Sequence, residues 1–153
     1  MSLFLTDIKK YKNYSGKSTL VLFFTTQGLW ALLVYRVSNS IFKSKLPSII
    51  KKPLLLFSII FQKWIELISG ISIPHSCSIG HSFYIGHFGG IIINANVIIG
   101  NNCNISQGVT IGVSGRGDKR GVPILGNNIY IGANAVLAGK IIIGNNCLIA
   151  ANS

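Results

Sequence analysis

Aliphatic side chains recur at every sixth position over most of the second half of the chain. Asn pairs recur in step with them, as Asn101-Asn102, Asn127-Asn128 and Asn145-Asn146. This period is typical of a parallel β-helix, in which each repeat is a short strand plus a turn and three repeats complete one triangular coil. Residues 71–153 would then form about four coils. The repeated positions are Ile73, Ile79, Ile85, Ile93, Ile99, Ile105, Ile111, Leu125, Ile131, Leu137, Ile143 and Ile149.

Two interruptions break the six-residue period. The step from Ile85 to Ile93 is eight residues, and its extra length carries the sequence HFGG at 87–90. The step from Ile111 to Leu125 is fourteen residues, and this stretch is polar, Gly-rich and basic. Loops that leave a regular scaffold often carry function, so both interruptions are candidate functional segments.

The first half of the chain lacks this period and predicts helices. Residues 18–35 carry no charge and just reach the length of a membrane span, although the polar residues 25–27 dilute the segment. In the segment 41–69, Pro47 and Pro53 interrupt the pattern, and we expect a helix from about Pro53 to Ile68. Lysines flank these apolar runs. Residues 18–69 therefore form either a helical cap with solvated lysines or a surface that binds anionic lipid.

The composition limits the kinds of active site that the chain can form. The 153 residues carry 14 Lys and Arg but only three carboxylates, Asp7, Glu66 and Asp118, for a net charge of +11. A paired-carboxylate hydrolase or an acidic metal cage is hard to build from so few acids. The lysines flank aliphatic runs and form no polar stripe, which disfavours nucleic acid as a partner. The change in composition near Gly70 predicts a helical segment 1–70 followed by a β-helical domain 71–153.

The cysteines and histidines fit the repeat. Three cysteines, with no CxxC spacing, predict free thiols that point into the coil, and no zinc site. His75, His81 and His87 are six residues apart, so they should point in three directions and cannot share a metal ion within one chain. A metal site with ligands from neighbouring subunits is still compatible with the sequence. His87 lies at the first break in the period, where it is either a general base or a turn residue with a satisfied hydrogen bond.

The stretches FYIGHFGGIIINANVIIGNNCNISQGVTIG and GRGDKRGVPILGNNIYIGANAVLAGKIIIGNNCLIAANS resemble the serine O-acetyltransferases, and resemble more closely the colanic-acid type of exopolysaccharide acetyltransferase. The resemblance covers about residues 71–153, and residues 27–42 are similar to the helix before the repeats. It implies a mainly β protein with a left-handed parallel β-helix, a homotrimer, and an active site between subunits.

The resemblance also implies site residues. His87 would be the base that deprotonates an acceptor hydroxyl as it attacks acetyl-CoA, and no metal is expected. Backbone groups around Gly112, Ser114, Ala133 and Ala151 match the family's coenzyme-binding positions. A second set of candidate coenzyme-binding residues is inferred from charge alone, because guanidinium and ammonium groups suit the phosphates of the coenzyme. These residues are Arg116, Lys119 and Arg120.

Three departures from the serine enzymes concern the acceptor. Gly86 replaces an acid before the base, Val122 replaces a histidine, and residues 11–17 lack the acid that helps to hold serine. Burying an ammonium without a carboxylate is costly, so we expect a sugar hydroxyl of a surface polysaccharide precursor ahead of L-serine. The sequence is also compatible with a non-catalytic trimeric or membrane-surface scaffold, and with a metal hydratase on the same coil.

Two further expectations concern the whole protein. The chain stops before the tail that closes the coil in the family, which suggests truncation at the C-terminus. An enzyme of this kind is expected in the cytoplasm, where residues 18–69 could contact the inner face of the membrane.

Overall fold

The computed structural model describes residues 3–153, which form four helices followed by twelve short strands. The helices are α1 (Leu3–Ser15), α2 (Thr19–Thr25), α3 (Gln27–Lys43) and α4 (Ser48–Ser69). The strands are β1 (Ile71–Ser72), β2 (Ser78–Ile79), β3 (Tyr84–Ile85), β4 (Ile91–Ile93), β5 (Ile98–Ile99), β6 (Asn104–Ile105), β7 (Thr110–Gly112), β8 (Ile124–Leu125), β9 (Tyr130–Ile131), β10 (Val136–Ala138), β11 (Ile142–Ile143) and β12 (Leu148–Ile149).

The strands stack as three parallel sheets of four strands each. Sheet A has the order β1-β4-β7-β10, sheet B the order β11-β8-β5-β2, and sheet C the order β12-β9-β6-β3. The chain visits the sheets in the cycle A, B, C, so every third strand joins the same sheet. The predicted triangular coil and its four turns are therefore confirmed.

The core of the coil is made by the repeated aliphatic positions and by the positions two residues before them. Ile85, Ile105 and Ile131 are almost completely buried, and Cys77 and Cys103 are fully buried in the preceding slots. Burial raises the pKa of the Cys77 thiol to about 12, which leaves it protonated and unreactive. The predicted inward position is confirmed for these two cysteines, whereas Cys147 in the last coil is half-buried.

Asparagines hold the corner between sheets B and C. Asn102, Asn128 and Asn146 adopt φ values of 57°, 56° and 58°, the left-handed region that Asn tolerates better than most residues. Their side chains form a ladder, because the Asn102 amide donates to Asn128 at 2.9 Å and the Asn128 amide donates to Asn146 at 2.9 Å. Each coil is thereby tied to the next by side chains as well as by the strands.

Two helix boundaries differ from the sequence-based expectation. The uncharged segment 18–35 is not one helix, because the chain bends by 95° at Thr26 between α2 and α3. Helix α4 begins at Ser48, five residues before the expected start at Pro53, and Pro47 is its N-cap. The first helical hydrogen bonds run from the backbone N–H groups of Ile50 and Lys51 to the Pro47 carbonyl, and Pro53 lies inside the helix, where it has no N–H to donate.

A buried ion pair fastens the helices to the first coil. The Arg36 Nε of α3 lies 2.8 Å from the Asp7 Oδ2 of α1, and the Arg36 Nη1 donates to the Ile79 carbonyl at 2.7 Å. The Phe83 amide completes the set by donating to the Asp7 Oδ1 at 2.8 Å. Strand β2, the residue that precedes β3, and helices α1 and α3 are therefore joined through one carboxylate and one guanidinium.

Lys10 makes the folded state sensitive to pH. Its ammonium donates to the Asn102 Oδ1 at 2.8 Å, and burial lowers the pKa of Lys10 from 10.5 to about 8. Between these values the unfolded chain binds a proton that the native chain does not, so the contribution of Lys10 to the free energy of unfolding rises with pH. We expect wild type to gain stability over Lys10→Met between about pH 8 and 10.5, measured by urea unfolding.

The exposed neighbour supplies the control for this measurement. Lys9→Met removes the same charge from an exposed position, so its difference from wild type at each pH is the reference for the difference shown by Lys10→Met. A constant difference between wild type and Lys10→Met across the window would contradict the assignment.

Candidate active site

The corner between sheets C and A carries the first break in the repeat. Residues 86–90 connect β3 to β4, and His87 and Phe88 are exposed at its tip. The backbone fixes the loop on both sides, since the Gly89 amide donates to the Ser69 carbonyl at 2.8 Å and the Gly108 amide donates to the Gly89 carbonyl at 2.9 Å. The two additional residues thus present an imidazole outside the coil on an anchored backbone.

A cavity of about 280 Å³ lies beside this corner. Its floor is the His87 corner and β3, and its walls come from α1, α2, the first turn of α3 and the α1–α2 connection. None of the lining residues within the described part of the chain carries a carboxylate. The polar lining side chains are Ser15, Lys17, Thr25, Thr26 and Gln27, with the hydroxyls of Tyr11 and Tyr84 and the His87 ring.

Tyr11 connects the helical wall to the strand that leads into the His87 corner. Its hydroxyl donates to the Ile85 carbonyl at 3.0 Å and accepts from the Ile85 amide at 2.9 Å. Gly28 lets α3 approach the same strand, because a Cβ there would lie 2.7 Å from the Tyr11 hydroxyl and 3.0 Å from the Ile85 Cβ. The distance between His87 and the helical wall is therefore fixed by close packing.

The titratable groups of the cavity differ in what they can do near neutral pH. Burial raises the pKa of Tyr11 and of Tyr84, so both phenols stay protonated, and the Tyr11 proton is already used in the hydrogen bond to the Ile85 carbonyl. Lys17 supplies an ammonium, which attracts an anionic group. His87 adds an imidazole, whose unprotonated ring nitrogen can accept a proton from a bound hydroxyl.

The residues predicted to bind coenzyme fall into two groups. Ala133 and Ala151 lie on the same corner as His87, one above the other: the Asn134 amide donates to the Gln107 carbonyl at 2.9 Å and the Asn152 amide donates to the Ala133 carbonyl at 2.8 Å. This corner forms a ridge of backbone groups that runs along the coil from the His87 loop.

The second group lies at the opposite edge of sheet A. Gly112 ends β7, and the loop that follows is a narrow ribbon closed by two hydrogen bonds between Ser114 and Gly121, of 3.0 and 3.1 Å. A 3₁₀ turn at Gly117–Lys119 forms its tip. Arg116, Lys119 and Arg120 are exposed there. Within one chain the structure does not bring this loop to His87.

The other histidines lie away from the cavity. The backbone carbonyl of His75 accepts from the Asn39 amide at 2.7 Å at the corner between sheets A and B, and its ring contacts Phe42. His81 lies at the corner between sheets B and C, where its Nδ1 is 3.1 Å from the Ser82 Oγ. The three rings thus occupy three different corners, as their spacing predicts.

Sequence reasoning missed most of the cavity wall. Tyr11 and Gly28 contribute to the wall by contacting β3, which lies more than fifty residues away in the chain. No local sequence pattern predicts these contacts. The one usable signal was the polar trio Thr25, Thr26 and Gln27, which interrupts an otherwise apolar run. In the structure these residues line the cavity.

Comparisons with known proteins point to one group. The bacterial transferase hexapeptide family (six repeats) matches residues 123–153. A serine acetyltransferase from Synechococcus elongatus is 33% identical over 126 residues, which is 82% of this chain and 48% of that protein. A serine acetyltransferase from Helicobacter pylori is 31% identical over 126 residues, or 82% of this chain and 69% of that protein.

A solved structure agrees. Serine acetyltransferase isoform 3 from Entamoeba histolytica, in complex with cysteine, matches with a TM-score of 0.79 and 29% identity over 98% of this chain and 51% of that one. The chain therefore spans about half the length of the Synechococcus and Entamoeba proteins.

Proposed function

Because the chain belongs to the serine acetyltransferase family of hexapeptide-repeat proteins, we propose that it transfers an acetyl group from acetyl-CoA to a hydroxyl group of a small acceptor. The observation that carries the proposal is His87, held by anchored backbone at the edge of a cavity that a small molecule fits. In this proposal residues 1–70 supply the acceptor side and residues 71–153, as a left-handed coil, supply the coenzyme side.

The reaction needs one base and no covalent enzyme intermediate. His87 takes the proton from the acceptor hydroxyl as its oxygen attacks the thioester carbonyl carbon. The tetrahedral intermediate collapses with cleavage of the carbon–sulfur bond, and the proton held by the imidazole passes to the departing thiolate. The products are the O-acetyl ester and coenzyme A.

The two groups of coenzyme residues suit a site built at a seam between two chains. The ridge with Ala133 and Ala151 carries His87 of one subunit, and the exposed Arg116 and Arg120 of a neighbouring subunit's loop would supply cations for the phosphates. A homotrimer is the assembly that this arrangement favours. It is further supported by exposed isoleucines stacked in register on the outer face of sheet B, namely Ile98, Ile124 and Ile142.

The acceptor is proposed to be L-serine. The sequence-based preference for a polysaccharide sugar, and the closer likeness to exopolysaccharide enzymes behind it, find no support among the relatives, which favour serine. Lys17 gives the cavity a cation that suits the carboxylate of an amino acid. One observation keeps a neutral hydroxyl acceptor as the second candidate: no carboxylate among the described lining residues could pair with the serine ammonium.

A screen of acceptors separates these candidates. Purified full chain is incubated with acetyl-CoA and L-serine, free sugars or nucleotide sugars, and released thiol is followed by its absorbance after reaction with a disulfide reagent. We expect L-serine to give the highest kcat/KM. L-alanine, which lacks the hydroxyl, is the control and should release nothing above background.

Each remaining outcome of the screen has a defined meaning. Faster release with a sugar than with serine would overturn the serine assignment and leave acetyl transfer standing. No release with any acceptor, together with no binding of coenzyme A in calorimetry, would overturn acetyl transfer and favour a scaffold.

A further inference from the structure

Helix α4 turns its polar side toward the protein and its apolar side outward. Ser58 and Ser69 are buried, and the Gln62 Nε2 donates to the Ile73 carbonyl of the first coil. Six large apolar residues on the outward side are exposed by 60% or more, whereas the surface helix of a soluble protein normally packs its apolar side against the core. These are Ile49 (83%), Leu56 (61%), Phe57 (62%), Trp64 (62%), Leu67 (79%) and Ile68 (60%).

Positive charge predominates around α4. Residues 8–65 contain ten Lys or Arg and no acid, and Glu66 is paired with Lys63 at 2.9 Å. Lys43 and Lys45 precede the helix and Lys52 lies in its second turn, all of them exposed. The apolar side of α4 is thus flanked by cations at its N-terminal end.

We propose that α4 lies in the plane of an anionic lipid surface, with its apolar side in the acyl boundary and its lysines at the headgroups. An exposed apolar side next to lysines is the composition of an interfacial helix, and a helix of 22 residues offers about 33 Å of length for this contact. Juxtaposed cations add attraction to anionic lipid.

The same features argue against different occupants. No single helix of residues 3–153 is long and apolar enough to cross a membrane; the bent pair of α2 and α3 alone meets the length and composition requirement. Nucleic acid would leave the apolar side uncovered. A second copy docked on α4 itself would offer no acid from residues 8–65 to pair with Lys45 and Lys52, whereas the homotrimer proposed above uses the outer face of sheet B.

Docking would also orient the candidate active site. Helix α4 ends at Ser69, whose carbonyl accepts from the Gly89 amide of the His87 corner at 2.8 Å. A Cβ at Gly70 would lie only 3.0 Å from the Gly90 nitrogen, so this junction is closely packed. The His87 corner is therefore tied to the end of the membrane helix, and the docking itself requires no acetyl transfer.

The test is sedimentation of full-length protein with phosphatidylcholine vesicles, with and without phosphatidylglycerol. We expect binding to vesicles that contain phosphatidylglycerol and at least about tenfold weaker binding after Lys45→Glu with Lys52→Glu. The charge-matched control Lys9→Glu with Lys140→Glu reverses two exposed lysines outside α4 and should reduce the affinity much less. High salt should weaken wild-type binding.

Tryptophan fluorescence tests whether α4 itself enters the lipid layer. In a Trp30→Phe background the remaining Trp64 should shift its emission to the blue when anionic vesicles are added, as an exposed indole does on entering an apolar layer. No vesicle binding by folded protein, or an equal loss in the charge-matched control Lys9→Glu with Lys140→Glu, would overturn the proposal. The double variant Leu56→Ser with Leu67→Ser tests the alternative that a second copy covers the helix. If this variant lowers the oligomeric state in light scattering and leaves vesicle binding unchanged, the lipid proposal is wrong.

Discussion

Replacing His87 by alanine is expected to lower kcat by about 100- to 10,000-fold, the range that removal of a general base produces. The ring lies on an exposed loop whose backbone is fixed by hydrogen bonds from Gly89 and Gly108 and not by the imidazole. The variant should therefore fold and bind coenzyme A as wild type does. Steady-state release of thiol with L-serine measures the effect.

A second histidine supplies the control. His81→Ala removes an exposed ring from a different corner of the same coil and should leave kcat within about twofold of wild type, since a surface change away from the cavity rarely matters. Normal turnover by the folded His87→Ala variant would contradict the base assignment. Equal losses in both variants would do so as well, because they would indicate a general effect on the coil.

The coil was predictable because its information is local and repeated. A six-residue period predicts that Ile105 and Ile131 point inward, independently of the rest of the chain. In the structure both side chains lie buried in the core of the coil. The position of His87 outside the coil followed from the same count, since a break of two residues must leave the regular path.

The helical half was predictable only in outline. Helices were expected, but the bend at Thr26 accompanies the packing of Gly28 against the distant β3, and the start of α4 at Ser48 was one of two starts that the prolines allowed. Tertiary packing commonly overrides local preference in short segments.

The cavity wall was out of reach of the sequence for a related reason. The wall forms because Tyr11 and Gly28 pack against β3, which is distant in the sequence, and such long-range contacts produce no periodic sequence pattern. The acceptor was harder still. The absence of an acid in residues 11–17 favoured a sugar, whereas the relatives favour serine, and the structure adds Lys17 as a group that could hold a carboxylate.

Stability should depend heavily on the pair of Asp7 and Arg36. Asp7 is fully buried and Arg36 is 7% exposed. Asp7→Asn preserves the shape and an oxygen that can still accept from the Phe83 amide, but it leaves the guanidinium buried without a counter-charge. Removing one partner of a buried pair costs about 3–5 kcal/mol. We expect a loss of this size in the free energy of unfolding, measured with urea at neutral pH.

The exposed pair of Lys63 and Glu66 provides the matched comparison for this loss. Glu66→Gln makes the same kind of change at an ion pair of 2.9 Å whose lysine is mostly exposed, and such pairs contribute about 0–1 kcal/mol. Similar losses in the two variants would contradict the role given to Asp7. A large loss of unfolding free energy for Asp7→Asn alone would mean that one buried carboxylate holds the helices against the first coil. The cavity beside His87, which lies between these two parts, would then depend on the same carboxylate.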